Sequence, residues 1–436
     1  MGSSTPRLPL EGLRIIDMGI ALAVPYGTML LADLGAQVIR VESTQIFPNQ
    51  TRGVVARPSR EAIKTMAPIS GGYPDRDPGE RPWNRFPWAN CTGRNKLGMT
   101  VDLRQPSGRE VLRRLVRISD AVVENNTPGS LQRMGITYDW LREIKEDIVF
   151  VQLSSFGQNG PYRDYRALGL QTDAFCGHDM LRRYRDRDPS YNTWAVPSDY
   201  AGGVSAATAC LMALIRRKRT GQGQHVDISM VENFVNLIGH IVMDYTMNGR
   251  VQESHGNRDP DMVQGVYRCK GEDRWVAITI ANDEHWKGFV QAAGNPAELR
   301  DARFATIPDR VRNQDALDPL IERFTCQHDH REVAELLQRH GVAAGPVLDD
   351  ADAYADPQLQ ARGFFIPVSH ADAGRHLYPG MPWKLSRTPL GVRTPPVRLG
   401  EHNQFIYQEL LGFSQDEYRE LETEGHIGTE YASHIR

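Results

Sequence analysis

The residue types that could do chemistry converge on one stretch. Pro197-Ser198-Asp199-Tyr200-Ala201-Gly202-Gly203 sets a carboxylate ahead of a run of Ala, Gly, Ser and Thr, and a basic, glycine-punctuated turn from Arg216 to Gln224 follows. A carboxylate there has two readings. It can cap a helix, because Asp accepts hydrogen bonds from the free N–H groups of a first turn. It can also serve as a nucleophile, and a helix N-terminus would keep it ionised and supply N–H groups for a developing oxyanion.

Other candidates are weaker. Arg104 and Arg133 lie at corresponding ends of strand and helix units, where open α/β sheets bind ligands, so they suit phosphates; the alternative is a solvated surface. Leu181 to Arg187, with Arg182, Arg183, Arg185 and Arg187, could hold a second carboxylate of a diacid substrate or be a charged loop. Arg216 to Arg219 reads as helix C-terminal charge in a solvated turn. Cys326-Gln327-His328-Asp329-His330 has metal-like residue types, but alternate spacing suits neither a zinc ribbon nor one helix face. It reads as a helix start, with no metal.

These residues need elements to position them. Leu13 to Asp17 is a short apolar strand, Gly19 to Pro25 a turn, and Tyr26 to Leu34 a helix ended by Gly35. Gln37 to Glu42 returns as a strand, which makes a parallel crossover with a Rossmann-like look. Its turn lacks G-x-G-x-x-G, so a dinucleotide reading is weak. Residues from Phe47 to about Trp88 are rich in Pro, Gly, Arg and Asp and read as a long surface excursion. Strands at Asn95–Leu103, Asp120–Glu124 and Ile148–Ser154 then alternate with helices from Pro106 to about Ile118 and from Tyr138 to Lys145. Alternation of this kind means a doubly wound α/β domain.

After Gln224 the pattern changes. A long apolar helix runs from Ser229 to about Tyr245, and Val266–Cys269 and Trp275–Ile280 read as antiparallel strands around Gly271-Glu272-Asp273. The expected division is a large domain over 1–228, a linker helix over 229–256, a small α/β domain over 257–347, and a return linker with the C-terminal part of the large domain over 348–436.

Composition bounds the function. The 436 residues are 40% apolar and 24% charged with a net charge of −3, which argues against disorder and against general affinity for nucleic acid. The five cysteines are widely spaced and follow no apolar leader, so a cytoplasmic chain with reduced thiols is expected. No run approaches the roughly 20 apolar residues that span a bilayer.

In order along nearly the whole chain, Pro9 to Asp17, Leu31 to Ala36, Val123-Glu124-Asn125 with Pro128-Gly129, Arg133-Met134-Gly135, Phe156 to Tyr162, Asp199 with Gly203, Arg219 to Gln224, Gly256-Asn257-Arg258 and Gly341 to Val347 match one pattern. The chain resembles the class III CoA-transferases, a family that includes formyl-CoA transferase, carnitine CoA-transferase and the α-methylacyl-CoA racemases. The resemblance implies two interlocked ring-shaped subunits, each with a Rossmann-like large domain and a small α/β domain. It implies an acyl-CoA donor and a carboxylate acceptor, no metal or redox cofactor, and a homodimer or a heteromer with a similar chain.

The family's nucleophile falls on Asp199. Its CoA contacts fall on Ala21, Leu22, Ala23, Val101, Arg104, Asn125, Asn126, Arg133, Met134 and Met230. Leu22 and Ser43 stand where formyl-CoA transferase has Gln and Arg, and its run of glycines is not seen near His255 to Gln264. A racemase would need a second base, whose position falls on about Gly169, with His178-Asp179 some residues too late. A third reading is a structural subunit whose partner does the chemistry.

Overall fold

A computed structural model of the chain describes residues 8–67, 71–193 and 195–435. They form two compact units. One holds the described residues up to Cys176, those from 195 to Val242, and those from Gln360 on; the other holds Gly177–Thr193 and Met243–Leu359.

The first unit is built on six strands, β1 (Arg14–Met18), β2 (Gln37–Glu42), β3 (Lys96–Thr100), β4 (Ala121–Glu124), β5 (Val149–Ser154) and β6 (Gln224–Ser229). They pair in the order β3-β2-β1-β4-β5-β6, all parallel. Order reverses at β1. In open α/β sheets that switch point, outside the carboxyl ends of the strands, is where ligands bind.

Both faces of the sheet are covered, and the strand sequences show why. Successive side chains point to opposite faces. Ile15, Val38, Val123 and Val149 therefore pack with α1 (Ala23–Asp33) and with a long helix beginning at Pro197. Ile16, Ile39, Val122 and Phe150 pack with α2 (Pro106–Arg117) and α3 (Tyr138–Ile144), and with Ile406 and Tyr407 of the C-terminal segment. Near-continuous apolar runs in β1, β4 and β5 follow from burial on both sides.

Short helix α4 (Gly169–Phe175) precedes α5 (Pro197–Thr220). Pro197 opens α5 with its φ already set, and Gly221, left-handed at φ +73, closes it after Arg217, Lys218 and Arg219. Its small residues allow an unusually close crossing with α1. A Cβ at Gly203 would stand 2.4 Å from the Ala23 carbonyl oxygen, and one at Gly27 would stand 2.3 Å from that of Gly203. By length and composition alone α5 could cross a bilayer, but it is a core helix that lies on the sheet against α1.

Other differences have local causes. Helix α1 starts at Ala23, three residues earlier than read, because Pro25 fits in a first helical turn. Strand β6 was not read at all. It carries Gln224, His225 and Asp227 at the edge of the sheet, where polar residues are tolerated. The long apolar helix is two, α6 (Met230–Leu237) and α7 (Gly239–Asn248), broken beside Gly239. The excursion holds short helices at Arg60–Thr65, Pro82–Arg85 and Pro87–Thr92; Ile63, Tyr73 and Phe86 cluster with Met66 and Trp88, while Trp83 packs with Ala56, Leu399 and Tyr431, and residues 68–70 lie outside the described residues.

The second unit pairs β7 (Val263–Arg268), β8 (Trp275–Ile280) and β9 (Ala343–Val347) antiparallel against helices that include α8 (Asp283–Ala292), α9 (Gln314–Thr325) and α10 (His330–Arg339). It also contains the arginine-rich stretch 182–187. Asp329 caps α10 through the Arg331 N–H at 2.9 Å, so the His/Cys/Asp stretch is a helix start.

Candidate active site

The site grows from the carboxyl end of β1. There the chain turns through Gly19 to Leu22 before α1, and Ala21 sits in the left-handed region at φ +52, where a non-glycine residue needs outside support. That support is visible. Asn125 accepts from the Ile20 N–H at 2.7 Å and donates to the Ile20 carbonyl at 3.1 Å, while the Ala21 N–H donates to Thr51 Oγ1 at 2.7 Å. Asn126 donates to the Met18 carbonyl at 2.9 Å.

Beneath the turn lies a buried charge network. Asp17 accepts from the Gly19 N–H, Thr28 Oγ1 and Lys96 Nζ, each at 2.8 Å, and from Arg40 at 3.2 Å. Burial acts to raise the Asp17 carboxyl, but Lys96 and Arg40 outweigh it and hold it far below the usual carboxylate range. Burial also pulls the Lys96 ammonium down to about 8, with Asp17 opposing. Opposite charges with full hydrogen bonding keep such a network in place, and removing one member leaves an uncompensated charge.

The turn forms one wall of a cavity of about 780 Å³. Ala21, Leu22, Asn125, Asn126, Arg133 and Met230 line it, and so does Asp199. Val101, Arg104 and Met134 line a smaller cavity of about 150 Å³ that shares Ile20 and Asn126 with the larger one. Ala23 lines neither; it is the first residue of α1, and its methyl group is buried in the core. Arg104 is engaged by Asp102, at 2.9 and 2.8 Å, and Arg133 reaches Ser130 Oγ at 3.2 Å. Two of the sequence-matched asparagines thus hold the turn as well as border the cavity.

Asp199 is the third residue of α5, and the capping position belongs to Val196. It is therefore no N-cap, and among the described residues its carboxylate accepts no hydrogen bond. Nor is it kept readily ionised. Burial, and then the charge of Asp173 in α4, push it up to about 6. Gly169 supplies its space: a Cβ there would stand 2.3 Å from Asp199 Oδ2 and 2.5 Å from Val196 Cγ1. Ser198 Oγ donates to the Gly169 carbonyl at 3.4 Å and ties the two segments together.

Sequence reasoning missed Gly169 as a partner of Asp199, Asp173 as a charge acting on it, and Arg163 and Arg166 as cavity residues. The earlier candidates for a carboxylate pair, Arg182 to Arg187, lie in the second unit and none lines the cavity. His178 lines it no more than they do. Arg163 and Arg166 offered a signal in their nearness to Gly169, but exposed arginines in a loop look alike until a cavity is drawn around them.

A carboxylate with this environment has a pH signature. Only the anion is a nucleophile, so the rate should fall about tenfold per pH unit well below the midpoint near 6. Asp173→Asn removes a charge that raises Asp199, so it should move the acid limb of log kcat/KM to lower pH. A limb that stays in place, or moves up, would show that the two carboxylates do not interact.

The cavity lies at the switch point of a parallel sheet, where the small-molecule ligands of open α/β folds bind, and its wall carries one carboxylate and three arginines. Residues 10–403 match the family described as CoA-transferase family III, and the chain belongs to that family. It is 31% identical over 423 residues to succinyl-CoA–D-citramalate CoA-transferase of Chloroflexus aurantiacus, covering 97% of this chain and 99% of the relative. It is 30% identical over 433 residues to formyl-CoA:oxalate CoA-transferase of Streptomyces avermitilis, covering 96% and 99%. Among solved structures, a CAIB/BAIF family protein from Brucella suis superposes with a TM-score of 0.79 at 29% identity, over 92% of this chain and 99% of that one. The protein is a CoA-transferase.

Proposed function

We propose that this CoA-transferase moves CoA from an acyl-CoA thioester to a carboxylic acid through covalent intermediates on Asp199. One Asp199 oxygen attacks the thioester carbonyl carbon, the C–S bond breaks, and CoA thiolate leaves a mixed anhydride. The thiolate attacks the Asp199 carbonyl carbon, the C–O bond breaks, and the donor acid leaves an aspartyl thioester. The acceptor carboxylate displaces the thiolate to form a second anhydride. The thiolate then attacks the acceptor's acyl carbon, giving the new acyl-CoA and free Asp199. Each step is an exchange between thiolate and carboxylate, with no net proton, oxidant or water consumed, so the cycle calls for no metal or redox group.

One observation carries this reading: an Asp199 carboxylate that, among the described residues, accepts no hydrogen bond and sits on the wall of a large cavity, with Gly169 leaving the space beside it open. Burial costs a carboxylate solvation, and the anhydride it becomes is neutral, so the same site that destabilises the anion favours its acylation. The position where a racemase would need its second base is Gly169 itself, which has no side chain to act as one. Incubating the protein with acyl-CoA and hydroxylamine should leave a hydroxamate on Asp199. An adduct on Asp173 or Asp179 would move the nucleophile there.

We also read the large unit as Rossmann-like, the nine sequence-matched residues that line the two cavities as CoA contacts, without the core residue Ala23, and the setting as cytoplasmic. Segments 229–257 and 347–363 serve in this reading as linkers of an interlocked dimer, with 257–347 as its small domain. Sedimentation at low concentration should then find no folded monomer. A relative named as the beta subunit of succinyl-CoA–L-malate CoA-transferase, 27% identical over 97% of this chain, favours a second possibility, a heteromer with a similar chain. Co-purification from the native source separates the two.

A further inference from the structure

We infer that Glu124 is a positioning residue for CoA: it fixes the Asn126 amide so that Asn126 Oδ1 is the atom offered to the ligand, where it accepts from an N–H or O–H group. This rests on reading Asn126 as a CoA contact. Glu124 belongs to the Val123-Glu124-Asn125 motif, yet it lines neither cavity and has no part in the site built so far.

Glu124 ends β4, and the sheet flanks it. Met18 of β1 stands beside it in register on one side and Gln152 of β5 on the other. The residue is 2% exposed, and among the described residues no cation pairs with it. Burial pushes its carboxyl up, against the N–H donors of Gln152 and Asn126. A buried carboxylate without an opposite charge destabilises a fold unless hydrogen bonds satisfy it, so its donors are informative. One oxygen accepts from Gln152 Nε2, and the other accepts from the Asn126 backbone N–H at 2.6 Å and from Asn126 Nδ2 at 3.1 Å. Gln152 is itself held from the edge strand: its Oε1 accepts from His225 Nε2 at 2.9 Å, and the His225 ring stacks on Phe150 and Tyr138.

The consequence falls on Asn126. A carboxylate and a carbonyl can only accept, and the Asn126 side chain meets one of each, Glu124 and the Met18 carbonyl at 2.9 Å. Its NH2 group must therefore point at them, with both hydrogens used. Oδ1 is left as its polar atom with no partner among the described residues, on a residue that lines both cavities. An acceptor there suits the amide N–H groups, hydroxyls or exocyclic amine of a CoA ester and rejects its phosphates.

Titration calorimetry of the full chain with free CoA tests this. Asn126→Ala should weaken binding about 3- to 10-fold, the range for a neutral hydrogen bond, and Glu124→Leu should do the same by freeing the amide to turn. Combined, the two should cost less than about twofold beyond Asn126→Ala alone, because the residue through which Glu124 acts is gone. Glu124→Gln, which keeps an acceptor for Asn126, should lose less than Glu124→Leu. Should Glu124→Leu fail to fold, Asn126→Asp carries the test: it sets a second oxygen against Glu124 and the Met18 carbonyl and should bind CoA at least as weakly as Asn126→Ala, and adding Glu124→Gln, which supplies an N–H donor, should recover part of the loss. Losses that add, no loss in Glu124→Leu, a Glu124→Gln variant as weak as Glu124→Leu, or no recovery in the Asn126→Asp pair overturns the inference and leaves Asn126 standing as a CoA contact. An unchanged Kd in Asn126→Ala overturns that contact, and this inference with it.

Discussion

Asp199→Asn should abolish transfer and, at neutral pH, make the folded protein more stable. The first effect follows from chemistry: an amide cannot form the anhydride, so kcat should fall by several orders of magnitude, while acyl-CoA binding survives because size and shape are kept. The second follows from burial. Asp199 is raised from 3.8 to about 6, so the folded state holds its proton more tightly than the unfolded state does. Stability is then lost as pH rises through that window, and above it the wild type carries the whole deficit, on the order of 3 kcal/mol. Asn carries no charge and avoids it. The difference in unfolding midpoint between variant and wild type should be large at pH about 8 and should shrink toward pH about 3, where the carboxyl is largely protonated in both states. An Asn variant that is inactive but less stable at every pH would mean that Asp199 holds the fold together, and that its loss says nothing about the chemistry.

Gly169→Ala should damage catalysis nearly as much by adding one methyl group. Gly169 opens α4 and is not in the left-handed region, so its backbone accepts alanine without strain. The added carbon has nowhere to go. It would stand 2.3 Å from Asp199 Oδ2 and within 2.8 Å of two Val196 atoms, so either the carboxylate or the Val196 side chain must move. Displacing a reacting group by about 1 Å costs on the order of 100-fold in rate. The loss should appear in kcat, with KM for the acyl-CoA within a few-fold of wild type and the far-ultraviolet spectrum unchanged. A variant with wild-type kcat would show that the carboxylate does its work from a different rotamer, away from Gly169.

These expectations share a cause. The site holds a polar group in a place where the fold gains nothing from it, and sites of that kind trade stability for function.

Local pattern determined a good deal by itself. Largely apolar or β-branched strands at residues 13–17, 37–42, 120–124 and 148–154, separated by helical periodicity, announced a parallel sheet, because strands buried on both faces are mostly apolar. The ordered short motifs pointed to the family, and the small residues after Asp199 permit the close helix crossing that Gly27 and Gly203 make.

Tertiary structure decided the rest. Strand β6 escaped notice because an edge strand needs no apolar face on its outer side. Asp199 read as a cap and as a stable anion, since Asp near a helix start does both in isolation. Its raised carboxyl comes from the burial that α4 and α5 create together, and then from the charge of Asp173 in α4. Likewise nothing in the run from Arg163 to Gly169 marks it as the wall of a cavity, nor does the run from Arg182 to Arg187 show that it lies in a different unit. Periodicity reports which face of an element is dry. Desolvation and charge coupling depend on distances between residues far apart in the chain, and those exist only once the sheet has been assembled.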